Sequence, residues 1–141
     1  MKQISVSLDN VAGKLLFVSE VLGVEGINIR AISVADTSDI STVRFVTDNP
    51  DKTINVLKAH GYVTKETEVI AVEVPDHPGG LKAVLKPLMS AGINVLYLYP
   101  YLGRGESGQP IVIVGVDRTE KAIAVLNNNW VHTFGGEIYT L

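Results

Sequence analysis

The chain has 141 residues, 46% hydrophobic and 19% charged, with a formal net charge of −3 and no cysteine. That excludes a disulfide framework, a thiolate nucleophile and a cysteine-held metal, and it gives no electrostatic case for nucleic acid or an anionic membrane surface. The apolar residues fall in short runs, well below the ~18–20 that a membrane-spanning helix needs.

In chain order, Met1 to Leu8 alternates apolar with polar residues, which predicts a strand and not a leader and points to the cytosol. Leu15 to Leu22 carries apolar residues at helical spacing and ends near Gly23 and Gly26. Ile27 to Ala35 reads as a second strand, Asp36 to Asp39 as a polar turn, and Ser41 to Thr47 as a third strand. Asp48-Asn-Pro-Asp51 is a helix start, a capping residue followed by Pro in the first turn, and the helix Lys52 to His60 closes at Gly61. The second half repeats the order with Val69–Val74, Leu81–Ala91, Ile93–Tyr101, Ile111–Val116, Thr119–Asn128 and Glu137–Leu141. Pro87 falls inside the second of these, so a kink or a short helix is expected there.

The halves are an internal repeat. Gly13, Leu15, Val18, Gly26, Ile27 and Asn28 recur 66 positions later as Gly79, Leu81, Val84, Gly92, Ile93 and Asn94. Val43, Asp48, Lys52, Ile54, Leu57 and Glu68 recur 69 positions later as Val112, Asp117, Lys121, Ile123, Leu126 and Glu137. The three-residue insertion therefore lies between Asn94 and Val112, where Leu102 to Pro110 is the natural place. The order βαββαβ in each half is the ferredoxin-like unit, an antiparallel sheet with both helices on one face. The expected fold is α+β, two tandem units over residues 1–68 and 69–141. The seam is awkward, because Glu68–Val72 aligns both with the end of unit two and with the start of unit two. Either Tyr62–Thr67 is a short last strand of unit one, or the halves exchange strands.

Each half has a strand, a Gly-containing turn and a helix start: Asn10, Val11, Ala12, Gly13, Lys14 and Leu15 in the first, Asp76, His77, Pro78, Gly79, Gly80 and Leu81 in the second. Such a turn leaves peptide N–H groups unpaired at the positive end of a helix dipole, a place for a carboxylate. Asp76, or the side-chain acceptor of Asn10, suits an ammonium, and Asn28 or Asn94 has both a donor and an acceptor to offer. The plain structural alternative is that the Asn residues only cap helix exits and the glycines only serve geometry.

The pattern strand, [Asp/Asn]-x-Pro-Gly-x-Leu, helix, Gly-Ile-Asn-[Ile/Val], strand resembles the ACT domain. Asp76-His-Pro-Gly-Gly-Leu81 with Gly92-Ile-Asn-Val95 matches it fully; Asn10-Val-Ala-Gly-Lys-Leu15 with Gly26-Ile-Asn-Ile29 matches except for Ala12 in place of Pro. The resemblance spans the chain as two tandem units with no attached enzyme. It implies a non-catalytic regulatory protein that binds an amino acid or similar small effector where paired units meet, forms a homodimer, and controls a metabolic enzyme or regulator. By resemblance the ligand sits on Asn10–Leu15 with Ile27 and Asn28, and on Asp76–Leu81 with Ile93 and Asn94. No cofactor or metal is implied.

Other features are weaker. Gly103-Arg-Gly-Glu-Ser-Gly108 reads G-x-G-x-x-G but joins two strands, so it predicts a hairpin loop and not a dinucleotide site. Tyr97, Tyr99 and Tyr101 share one face of a strand, which suggests a packed sheet or dimer face and not base stacking in an acidic chain. His60, His77 and His132 lack partners at metal-ligand spacing, and His77 alone lies in a binding loop. The competing functional class is an interaction subunit whose pocket has lost its ligand. A small enzyme of this fold would need an acid, base or nucleophile constellation that the sequence does not supply.

Overall fold

The alternation in Ile4-Ser-Val-Ser-Leu8 puts three apolar side chains on one face of a strand. In the computed structural model, which describes residues 1–141, that strand is β1 (Lys2–Asp9). The first half continues with helix α1 (Lys14–Val24), β2 (Ile29–Asp36), β3 (Ile40–Thr47), helix α2 (Pro50–Ala59) and β4 (Thr64–Glu68). The second half has β5 (Ile70–Glu73), α3 (Lys82–Ser90), β6 (Val95–Arg104), β7 (Pro110–Val116), α4 (Thr119–Asn128) and β8 (Thr133–Phe134), then a 3-10 turn over Gly136–Thr140. The chain divides into two units, Lys2–Thr67 and Glu68–Leu141, Met1 grouping with the second.

Each unit is α+β and ferredoxin-like. The strands run β4-β1-β3-β2 in the first and, equivalently, β8-β5-β7-β6 in the second. Antiparallel pairing of β1 with β3 sets Ile4 opposite Phe45 and Val6 opposite Val43. These four, with Leu8, are buried under Val18 and Leu22 of α1 and Leu57 of α2. In the second unit Ile70, Val72 and Val114 lie under Val84 and Leu88 of α3 and Leu126 of α4. Both helices of each unit thus cover one face of its sheet.

The seam resolves in favour of a short last strand for unit one: β4 ends at Glu68 and β5 begins at Ile70. The last strand of unit two is Thr133–Phe134, and the expected strand at Glu137–Leu141 is instead the 3-10 turn. Hydrogen bonds from both sides hold that turn. Glu137 Oε1 accepts from the Gly135 N–H at 3.0 Å, and the Tyr101 hydroxyl shares its proton between the carbonyls of Ile138 (3.0 Å) and Leu141 (2.9 Å). Ile138 is fully buried. Part of the tyrosine face of β6 is therefore covered by the chain's own C-terminal turn, which the sequence reading did not include. Pro87 sits within α3, which spans nine residues against eleven for α1. The residues Gly105 to Gln109 join β6 to β7 as the expected hairpin loop.

All four helices end in a Schellman motif, in which a left-handed residue lets two N–H groups turn back on the last carbonyls. After α1, Gly26 N–H reaches Gly23 O and Ile27 N–H reaches Leu22 O, both at 3.0 Å. Gly61 and Gly92 repeat this after α2 and α3. After α4 the left-handed position is Trp130, with φ 63°, and its side chain is 97% exposed. A non-glycine residue in this conformation costs roughly 1–2 kcal/mol, and packing within the chain returns little at that exposure. Replacing Trp130→Gly should therefore raise unfolding free energy by about 1 kcal/mol in urea denaturation followed by circular dichroism. Unchanged or lowered stability would show that Trp130 holds contacts outweighing its strain.

Candidate functional site

The two strand-to-helix corners share a backbone device. Gly13 (φ 89°) and Gly79 (φ 82°) both adopt the left-handed conformation that the turn requires. Neither α1 nor α3 has a side-chain cap at its start.

The corners differ in how much of the backbone is left over. At the first, Asn10 N–H goes to Asp39 O (2.9 Å), Val11 N–H to Asp9 O (2.8 Å), and Lys14 N–H to Val11 O (3.4 Å). The N–H groups of Ala12, Gly13, Leu15 and Leu16 find no acceptor in the chain. At the second, His77, Gly80, Lys82, Ala83 and Val84 all bond to carbonyls of the same turn, at 2.9–3.2 Å. Only Gly79 and Leu81 keep free N–H groups there. The hairpin β6–β7 also leans on this corner: Gln109 Oε1 accepts from the Asp76 N–H (3.0 Å), and Arg104 Nη1 lies 3.8 Å from the Asp76 carboxylate. The Asp76 carboxylate thus already has a cation nearby, and His77 Nδ1 sits 2.9 Å from Pro78 O. The motif match alone ranks the second corner first, whereas the donor inventory ranks the first corner first.

The surroundings of the first corner are apolar. Val11, Leu15, Leu16 and Phe17 are 41–61% exposed. α1 carries apolar residues on every side, of which Val18, Val21 and Leu22 face the core. These exposed apolar side chains lie in and just after the turn that carries the unpaired amides.

The Gly-Ile-Asn corners are rigid. The N–H of Asn28 donates to Asp48 Oδ1 (3.0 Å) while Asp48 N–H donates to Asn28 O (3.0 Å). Asn94 and Asp117 close the same ring at 3.1 and 3.2 Å. Lys52 Nζ donates to Glu25 O (2.6 Å), and Lys121 Nζ to Ala91 O (3.2 Å), placing a cation at each helix C-terminus. These contacts explain why Asp48, Lys52, Asp117 and Lys121 recur in the repeat, a role the sequence reading did not assign. Ile27 and Ile93 are core residues, 6% and 4% exposed, so they present backbone and not side chain to any guest. Asn28 and Asn94 are exposed with their carboxamides free of hydrogen-bond partners.

Within one unit the loop and the Ile-Asn corner are not brought together. They lie at opposite ends of α1, whose eleven residues separate them by roughly 16 Å at about 1.5 Å per residue. Asn10–Leu15 and Ile27–Asn28 of the same unit therefore cannot both touch one small molecule, and the same holds for Asp76–Leu81 and Ile93–Asn94. Gly79 also lines an open groove of about 770 Å³ between α3 and α4, with Lys82, Lys86 and Asn129 among its walls. Asn94 lines another of about 410 Å³ with Leu85 and Met89.

The family described as an ACT domain pair matches residues 1–136. The chain belongs to the ACT domain pair family. Among solved structures, protein BT0572 from Bacteroides thetaiotaomicron is similar at 30% identity and TM-score 0.90, covering 99% of this chain and 96% of that one. The regulatory subunit of aspartate kinase from Thermus thermophilus, in its ligand-free form, shares the fold at TM-score 0.67 and 15% identity, with 92% of each chain covered. The corresponding subunit from Thermus flavus does so at TM-score 0.62 and 15% identity, again over 92% of each. No curated protein matches the chain. No helix of this ACT domain pair is long and apolar enough to cross a membrane.

If the Asp rings hold the corners, Asp48→Ala should lower stability by about 1 kcal/mol, since it strips the acceptor from the Asn28 N–H. Thermal unfolding of that variant beside Asp117→Ala checks this. A negligible change in both would mean that water replaces the ring at no cost.

Proposed function

We propose that this ACT domain pair is a non-catalytic sensor that binds an amino acid through its carboxylate at the strand-to-helix corners, most strongly at Ala12–Leu16. The supporting observation is the set of four unpaired N–H groups on Ala12, Gly13, Leu15 and Leu16 at an uncapped helix start. Backbone donors there, with the helix dipole behind them, favour a carboxylate. The exposed Val11, Leu15, Leu16 and Phe17 favour a guest with an apolar side chain. Since loop and Ile-Asn corner are a helix length apart within a unit, the ammonium end is met by Asn28 or Asn94 of a paired unit. The same exposed apolar side chains suit a homodimer contact, because exposed contiguous apolar surface marks interfaces. Ligand bridging two units would favour one arrangement of them, and a metabolic enzyme or regulator reading that arrangement would be controlled by linkage. We place the protein in the cytoplasm and divide it at 68/69 into its two ACT units on the sequence reading.

The apolar start of α1 also fits a second reading, a pure interaction subunit without a ligand. Thermal shift of the full chain against the common amino acids separates the two. Saturating ligand at a hundredfold excess over Kd stabilises by about 2.7 kcal/mol. The sensor reading expects such a shift with at least one apolar amino acid, its loss in Gly13→Val, and most of it kept in Gly79→Val. A Cβ at Gly13 meets no atom within 4 Å, so the substitution acts first through the left-handed φ that valine resists. No shift with any amino acid at millimolar concentration sinks the sensor reading, and an unchanged shift in Gly13→Val moves the site elsewhere.

A further inference from the structure

Positions that correspond in the repeat diverge together around one cleft of the second unit. Where the first unit has Ser7, Gly61 and Val63, the second has Glu73, Trp130 and His132. All three line a cleft of about 260 Å³ beside Pro75 and Val84. Glu73 and His132 also line an adjoining cleft of about 310 Å³, with Glu106, Phe134 and Glu137. No Lys or Arg lines either cleft.

Two further observations point to a missing guest. Glu73 Oε1 is a buried side-chain oxygen with no hydrogen-bond partner, and it stands alone in that respect in the chain. Buried carboxylate oxygens ordinarily have donors, and one without is costly. Trp130 keeps a strained backbone and a fully exposed indole where the other three helices place Gly26, Gly61 and Gly92. Strain held without a packing return is concentrated at functional positions. The aromatic wall continues with His132, set edge-on against Phe134 at 4.5 Å between ring centres. The Gly135 N–H, with His132 adding to it, holds the Glu137 carboxyl below the usual range, so the neighbouring cleft keeps its negative charge. No three His, Asp or Glu side chains are arranged to hold a metal ion.

We propose that this cleft binds an alkylammonium group, its N–H donors meeting the Glu73 carboxylate and its methylenes lying on the Trp130 indole. A carboxylate beside an aromatic face, in a wall without Lys or Arg, recognises a cation by charge-assisted hydrogen bonding and cation–π attraction. This cleft adjoins the second strand-to-helix corner through Pro75 and Gln109 but contains none of the residues Asp76–Leu81, and it does not depend on the amino-acid reading. The alkylammonium belongs to a free amine or to a lysine side chain on a partner protein.

Trp130 is the one tryptophan in the chain, so its fluorescence reports the cleft alone. The full chain is titrated with n-butylammonium chloride, with N-acetyl-lysine methyl ester, and with sodium chloride and n-butanol as charge and shape controls. A saturable change with either amine and none with the controls is expected; tighter binding of the lysine ester points to a protein side chain, tighter binding of butylammonium to a free amine. Glu73→Gln, with its fold checked by circular dichroism, should weaken amine binding at least tenfold. In Trp130→Gly the amine-induced thermal shift should be lost. No saturable change with either amine overturns the proposal. So does equal binding of n-butanol, or undiminished binding in Glu73→Gln.

Discussion

A left-handed glycine before the first helix of each unit sets what the corners can hold. With φ at 89° and 82°, Gly13 and Gly79 turn the chain from strand to helix so sharply that no side chain caps the helix. Peptide N–H groups at the turn must then bond within the turn, to another element, or to a guest. The second corner takes the first two options: its amides close on Pro75, His77, Gly79, Gly80 and Leu81 carbonyls, and the β6–β7 hairpin supplies Gln109 and Arg104. The first takes them only in part and leaves four donors facing solvent. The unit is the same twice, yet the two corners are chemically unequal.

The inequality arises from small sequence differences. His77-Pro78 in the second loop allows the tight turn in which Gly80 bonds back to His77. Val11-Ala12 in the first makes only a longer corresponding bond, Lys14 N–H to Val11 O at 3.4 Å against 2.9 Å, and Ala12 keeps an N–H that Pro78 lacks. The insertion between β6 and β7 lets that hairpin reach Asp76. The Gly-Ile-Asn segment at the far end of each unit's first helix, by contrast, is nearly invariant between units. Asp48 and Asp117 brace the Asn backbone, and Lys52 and Lys121 brace the helix end. The helix-exit corner is thus built identically twice, while the strand-to-helix loops differ in donor capacity.

The fold was legible because the apolar periodicities are clean and each occurs twice. Ile4, Val6 and Leu8 could face only one core, and the shift of the repeat offset from 66 to 69 places the hairpin insertion. The misreading at Glu137–Leu141 has a physical cause. Glu68 aligns with Glu137, but Glu68 ends its strand and Glu137 lies beyond its own, so neither opens one. In the second unit the turn after that point is drawn down by the Tyr101 hydroxyl, a contact across the chain that periodicity does not encode. The corners were legible as loops from their glycines. Their donor inventories were not, because hydrogen bonds inside a turn depend on dihedral angles that Pro78 and Ala12 only bias. Trp130 was invisible to motif reasoning, although its alignment with Gly61 carried the signal.

The account stands on four peptide N–H groups, and amide NMR observes them directly. A ¹⁵N-labelled full chain titrated with the common amino acids should show saturable downfield shifts of the Ala12, Gly13, Leu15 and Leu16 amide protons with at least one apolar amino acid. The Gly80, Lys82 and Ala83 amides, already bonded within their turn, should move much less. Saturable shifts confined to the second corner, or none at either, would contradict the account.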